Sequence, residues 1–206
     1  MGGWSWDDEP PTPDALRLFQ NARRLYDRIG DLTQHALTAP GAFAITPELI
    51  LEFHAIATAG DPDPEKPPGK FRARDNFVGV AGVVLYQPPS WNLVPGLVAE
   101  MCTEINQRSE AGPLNAAAYA LWRINWIHPF GDGNGKTARA VMYLVLCVGF
   151  GRMLPGEPAL PDLFAQQPRR YWDSLKKADR AWERGVVELP EVESLVLDLI
   201  EQVILE

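Results

Sequence analysis

Residues 128–139 read HPFGDGNGKTAR, from His128 to Arg139. Three glycines, an aspartate, an asparagine, a lysine and an arginine crowd one short connection. The flanking segments have a different character. Leu114 to Ile127, LNAAAYALWRINWI, is apolar almost all round, and Thr137 to Phe150, TARAVMYLVLCVGF, nearly so. A helix that is apolar on every side has to be central and buried. The stretch predicts two core helices joined by a polar, glycine-rich loop, inside a mainly α-helical domain.

Two common motifs are excluded by counting. A P-loop needs a glycine five places before the Gly-Lys-Thr end, after a strand. That place is Phe130, and the segment before it is helical in pattern. A calcium loop with its invariant glycine at Gly135 would put Phe130 at the first ligand position and Val141 at the last, both apolar.

The residues support a third chemistry. Gly133, Asn134 and Gly135 can take positive-φ conformations that turn successive N–H groups into an anion nest. They precede a helix whose dipole favours an anion at the same end. Lys136 and Arg139, three apart, add positive charge on one face of the first turn, and Arg139 can grip two phosphate oxygens. Asp132 beside a bound phosphate calls for a cation between them, as in Mg²⁺ held by one carboxylate plus phosphates. A neutral His128 at the end of the preceding helix can take a proton from an attacking hydroxyl. A phosphate cradle, a metal ligand and a base together read as nucleotidyl or phosphoryl transfer.

The rest of the chain is consistent with one domain. It has 206 residues, 46% hydrophobic and 22% charged, which is the balance of a globular protein with its own core. The formal net charge of −8 disfavours nucleic acid as a partner. Residues 1–13 read as an irregular acidic, proline-rich tail without the layout of a signal peptide, and 14–206 as the domain. The longest apolar run, AVMYLVLCVGF, is about half a membrane span, so no membrane is expected. Cytoplasm is the expected location, whether of its own cell or of a host reached by secretion. Cys102 and Cys147 sit among apolar residues and read as buried thiols. His35 and His54 lack ligand-spaced neighbours and read as structural or exposed. Trp122, Trp126, Trp172 and Trp182 fall at helical positions and read as core.

Along the chain, Asp14 to about Arg28 predicts an amphipathic helix with Leu16, Phe19 and Leu25 on one face, closed by Gly30. Thr46-Pro47-Glu48 opens a second helix that stops at Gly60. Residues 60–75 are a proline-rich loop. FVGVAGVVLY, 77–86, predicts a two-stranded hairpin ended by Gln87-Pro88-Pro89. Helices follow at Asn92–Ser109, Leu114–Ile127, Thr137–Phe150, Gln167–Glu183 and Glu191–Glu206, with 155–161 as a loop.

His128, Pro129, Phe130, Asp132, Gly133, Asn134, Gly135 and Arg139 resemble the signature of the Fic family, H-[PX]-F-x-[DE]-G-N-[GK]-R-x-x-R. PGKFR (68–72) with the hairpin resembles the family's approach to its flap, and YWDSLKKAD (171–179) its later helix. The likeness runs from about Leu49 to Asp179. It implies the Fic fold, a helical bundle with a small β-hairpin flap. It also implies transfer of AMP from ATP, with Mg²⁺, to a Ser, Thr or Tyr hydroxyl of a target protein. By this resemblance His128 is the base and Asp132 the metal ligand. Gly133, Asn134, Gly135, Lys136 and Arg139 hold phosphate, and Tyr171 is either part of the nucleobase pocket or a buried aromatic. The target docks an extended segment on hairpin 77–86.

Lys136 departs from the family's arginine. It keeps the charge and loses the fork. That leaves removal of AMP, transfer of another nucleotidyl or phosphoryl group, and nucleotide binding without turnover as the alternatives. The family's inhibitory pattern, [ST]-x-x-x-E-[GN], is approached at Ser5–Glu9, with Pro10 where Gly or Asn is wanted, and more weakly at Ser194–Asp198. Failing both, inhibition falls to an antitoxin-like protein or to homo-oligomerisation.

Overall fold

Proline opens most of the helices, where its missing N–H costs nothing. Thr12 caps α1 (Pro13–Thr38) through a 3.2 Å bond from Ala15 N, and Thr46 caps α2 (Pro47–Ala57) through a 3.3 Å bond from Leu49 N. A computed structural model of the chain describes residues 12–205, apart from residues 40, 42, 81 and 82. The sequence places Glu9 and most of the expected tail outside that range.

α1 does not stop at Gly30. Its buried stripe, Asn21, Leu25, Ile29 and Thr33, recurs every fourth residue and passes straight through the glycine. One helical glycine costs roughly 0.5–1 kcal/mol, less than the roughly 1.5–3 kcal/mol from burying a side chain such as Ile29. Leu16 and Phe19 lie off that stripe and are exposed, contrary to the expected face.

After the proline-rich loop come β1 (Val78–Val80) and β2 (Val83–Tyr86), antiparallel, with Gly79 opposite Val84 and Val80 opposite Val83. A Cβ on Gly79 would stand 2.4 Å from the Val83 carbonyl oxygen, so the pairing requires glycine there. The Tyr86 hydroxyl anchors the hairpin by donating to Trp126 O at 2.6 Å.

A 3-10 turn at Trp91–Leu93 leads into α3 (Val94–Ala111). Then α4 (Pro113–Ile127) and α5 (Asn134–Phe150) form the centre, buried nearly all round as their composition demands. α3 and α8 (Pro190–Leu205) pack on α4, while α1 and α2 pack on α5. The short α6 (Leu160–Leu163), which the sequence did not suggest, precedes α7 (Pro168–Glu183). Cys102 and Cys147 are buried and free, and burial pushes the Cys102 thiol up to about 12. Among the described residues no helix is long and apolar enough to cross a membrane.

Candidate active site

The loop between α4 and α5 is held from several sides. α4 ends at Ile127, and His128 adopts the left-handed conformation, φ 49° and ψ 57°. It is the one non-glycine with positive φ among the described residues. Such a residue persists only where its surroundings over-determine it. Here Arg72 supplies the restraint: its Nε donates to His128 O at 2.9 Å and its backbone N–H to Pro129 O at 2.9 Å. Phe130 is fully buried and stacks on His54, with ring centroids 3.7 Å apart and planes 4° apart.

His54 is buried and belongs to the site's support. The Gly69 N–H can only donate, so Nδ1 accepts it at 2.9 Å. The remaining proton is therefore on Nε2, which donates to Asp132 O at 3.0 Å. Burial is the main cause lowering the His54 pKa, partly opposed by the bond to the Asp132 backbone.

Only Gly133 has positive φ in the expected nest, at 71°. Asn134 and Gly135 are already helical, because α5 begins at Asn134 rather than Thr137. The Asn134 side chain is buried and closes the loop, accepting from Phe130 N and donating to Phe130 O, each at 3.0 Å. What Asn134 offers an anion is its main-chain N–H. The cradle is thus a helix N-terminus instead of a nest. Thr137 N is the first amide to bond within the helix, to Gly133 O at 3.0 Å. The amides of Asn134, Gly135 and Lys136 bond to no other group among the described residues. Orphan amides of this kind, with the helix dipole, suit phosphate. Gly133 cannot carry a side chain, since a Cβ would lie 2.5 Å from Thr58 Cγ2.

Lys136 and Arg139 border a cavity of about 170 Å³ with Tyr26 and Asp162. Arg139 folds back over the first turn, its Nη1 3.2 Å from where a Gly135 Cβ would be. Asp162 is engaged by Tyr26, whose hydroxyl donates to Oδ2 at 3.0 Å. Asp132 is exposed, and its Oδ1 accepts the Gly133 N–H at 2.7 Å. No cluster of three metal-ligating side chains exists among the described residues. One free carboxylate oxygen fits a magnesium carried in on phosphates rather than a resident metal.

His128 lines a second cavity, of about 340 Å³, between the hairpin, α4 and α7. Its pKa is pushed down to about 4, first by burial. A hydrogen bond with the Asn125 backbone and the Asp132 charge pull it up, and Arg72 pushes it down. Tyr86, Trp126, Trp172 and Asp179 line the same space. Trp172, read from the sequence as core, is half exposed and forms a wall of the cavity. Tyr171, whose ring centroid is 6.3 Å from that of Trp172, is buried, its hydroxyl accepting from Asn125 Nδ2 at 2.9 Å with the Arg139 guanidinium beside it. It is not among the residues that line this cavity. Asp179 accepts from Trp122 Nε1 at 2.8 Å, and burial raises its pKa. Behind the wall, Arg123 is buried against the faces of Trp126 and Trp182, 4.2 and 4.3 Å from their centroids. The signal for Trp172 and Asp179 was present in YWDSLKKAD, but helical periodicity does not say which face meets a cavity.

A larger groove of about 720 Å³ runs between α7 and α8 and includes none of the motif residues. Asp198, the weaker inhibitory candidate, is exposed on α8 and pairs with Arg170 of α7.

Residues 44–146 match the family model described as the Fic/DOC family. The protein adenylyltransferase Fic of Drosophila persimilis is 34% identical over 142 residues, covering 66% of this chain and 24% of that protein. Protein adenylyltransferase fic-1 of Caenorhabditis briggsae is 33% identical over 99 residues, covering 47% and 18%. The chain spans about a quarter or less of the length of these curated relatives. Among solved structures, a Fic family protein from Desulfovibrio desulfuricans superposes with TM-score 0.71 at 20% identity, covering 95% of this chain and 54% of that one. A Fic domain containing signaling protein from Bacteroides thetaiotaomicron gives 0.64 at 19%, covering 94% and 70%. At such identities these structures speak for the fold alone.

Proposed function

This chain belongs to the Fic/DOC family, and on that premise we propose that it transfers AMP from ATP to a hydroxyl side chain of a target protein. The observation that carries the reading is the set of amides at residues 134–136 without a partner among the described residues, at the helix start that carries Lys136 and Arg139 and a few residues after a histidine that borders a cavity. The amides and the two cations hold the phosphates. The nucleobase enters the cavity walled by Trp172 and Tyr86, whose volume suits a planar ring system.

His128 is uncharged at neutral pH because its pKa is depressed. It accepts the proton of the incoming hydroxyl. The hydroxyl oxygen bonds to the α-phosphorus, the bond to the β-phosphate breaks, and pyrophosphate leaves. Asp132 would hold Mg²⁺ through its free oxygen; when bound, the metal supplies charge neutralisation to the departing phosphates. Lys136 keeps the positive charge of the cradle, which favours an active domain over a merely nucleotide-binding one.

The hairpin receives the target as an added strand. Its exposed apolar side chains, Phe77, Val83, Val84 and Leu85, each more than half exposed, offer a docking face beside an unpaired edge. Residues 14–206 act as one catalytic domain, since α1, α7 and α8 share one core with the matched segment. The compartment that fits is one with ATP, the cytoplasm of its own or of a host cell.

The test is incubation with Mg²⁺ and ATP labelled on the α-phosphate, followed by mass spectrometry of labelled proteins. The expected result is addition of AMP that disappears in His128→Ala, by about 100-fold or more for loss of a general base. Proteins that gain the mass of a phosphoryl group and no α-label would replace the reading with phosphoryl transfer.

A further inference from the structure

We propose that Arg72 is a positioning residue that ties the docking hairpin to the catalytic base. The inference rests on the function proposed above and adds a residue to it. Arg72 is 7% exposed, and its guanidinium is spent almost entirely on main-chain oxygens. Nε donates to His128 O at 2.9 Å and Nη1 to Arg74 O at 3.2 Å; Nη2 donates to Pro89 O, and to Ile127 O at 3.4 Å. The nearest carboxylate, Asp75, stands 3.7 Å from Nη1. That Asp75 oxygen already accepts from Ser90 Oγ at 3.1 Å and from Trp91 N at 2.8 Å.

The four carbonyls belong to two parts of the site. Arg74 and Pro89 flank the hairpin where it leaves and rejoins the body. Ile127 and His128 end α4, where the helix dipole favours a cation. One planar fork therefore sets the distance from both ends of the hairpin to the residue that carries the imidazole. His128 needs the restraint most, because its backbone is left-handed and it borders the cavity. Burying a guanidinium with its nearest carboxylate as far as 3.7 Å is costly, so packing alone does not explain an arginine here. A lysine has three donors on a point charge and cannot span the four oxygens. The hydroxyl of a docked segment must come within hydrogen-bond reach of the imidazole, and a misplacement near 1 Å can cost about 100-fold. The phosphate cradle is held separately, by His54 and Asn134.

The charged groups around the His128 ring are Arg72 and Asp132, with Lys176 and Asp179 of α7 across the cavity. Arg72→Met removes a cation and Arg72→Lys retains it. Both are compared with the unaltered protein by the rate of self-labelling from α-labelled Mg·ATP, its pH profile, and ATP affinity by calorimetry. The labelling rate is expected to fall about 100-fold in both variants, with ATP affinity within about twofold. The acid limb moves to higher pH in Arg72→Met, and stays in place in Arg72→Lys. An unchanged rate, or rate and affinity falling in step, overturns the proposal. If Arg72→Met does not fold, Arg72→Lys carries the same split between rate and affinity. If the unaltered protein labels nothing, the proposed function is what has failed. The positioning claim is then read from the ring signals of the three histidines by NMR, assigned with His128→Ala. Arg72→Lys should displace the His128 signal and leave His35 and His54 in place; an unmoved His128 signal refutes it.

Discussion

The loop from His128 to Gly133 and the hairpin from Val78 to Tyr86 border the same cavity and are built in opposite ways. The loop is short and polar, yet Phe130 and Gly133 are buried, Phe130 stacked on His54 of α2 and both bonded to the first turn of α5. The hairpin is apolar, yet Val83, Val84 and Leu85 face solvent, and Tyr86 is one of its few anchors. In each region composition alone suggests the wrong exposure. A phosphate site needs amides held still before the ligand arrives. A docking strand needs free backbone groups and a face without a partner.

Gly133→Val strikes the rigid side hardest. Its Cβ would meet Thr58 Cγ2 at 2.5 Å and its φ of 71° is strained for a branched side chain. We expect nucleotide binding to be lost in calorimetry, with roughly 1–3 kcal/mol of stability lost in denaturant unfolding. Unaltered ATP affinity in a folded Gly133→Val protein would remove the cradle from the account.

The imidazole, where the two regions meet, supplies the next test. Its pKa of about 4 keeps it neutral down to acidic pH. The second-order rate should stay level from neutral pH and fall roughly tenfold per unit once pH drops below about 4. Stability carries the same sign. The His128 pKa is lower folded than unfolded, so its full contribution is present above about 6.5 and is lost as pH falls toward about 4. An acid limb centred near 6.5 would mean an imidazole open to water.

Val84→Asp separates the regions. Its side chain is exposed, so the fold and ATP affinity should be unaffected, while KM for a protein target rises about tenfold through lost apolar contact. A fall in ATP affinity instead would mean that hairpin and cradle are not independent. The smallest effect is expected from Lys136→Arg on the exposed first turn of α5. Restoring a fork should tighten ATP by about twofold to threefold, and a loss of labelling would show that lysine sets the nucleotide's orientation.

Much of this was readable from adjacent residues. The Thr46 cap with proline after it, the hairpin and the two all-apolar helices are local patterns, and they appear where they were expected, α5 starting three residues early; the Thr12 cap of α1 lies in what reads as tail. The errors have a common cause. Gly30 as a stop, Leu16 and Phe19 as a buried face, and Trp172 as core all required knowing what packs against a helix. The nest at 133–135 failed because Asn134 bonds back to Phe130, which lets α5 start a turn early.

By itself, then, the chain's order of residues determined the helical class, the family motif and the chemical types present: one imidazole, one carboxylate, two cations and a run of amides. These follow from spacing along a helix or a turn, within the reach of a few residues. Tertiary structure alone decided that His54 holds Asp132 across 78 positions and that Arg72 holds His128 across 56. Those bonds form because burying a ring or a guanidinium obliges its polar atoms to find partners, and the partners nearest at hand came from distant parts of the chain.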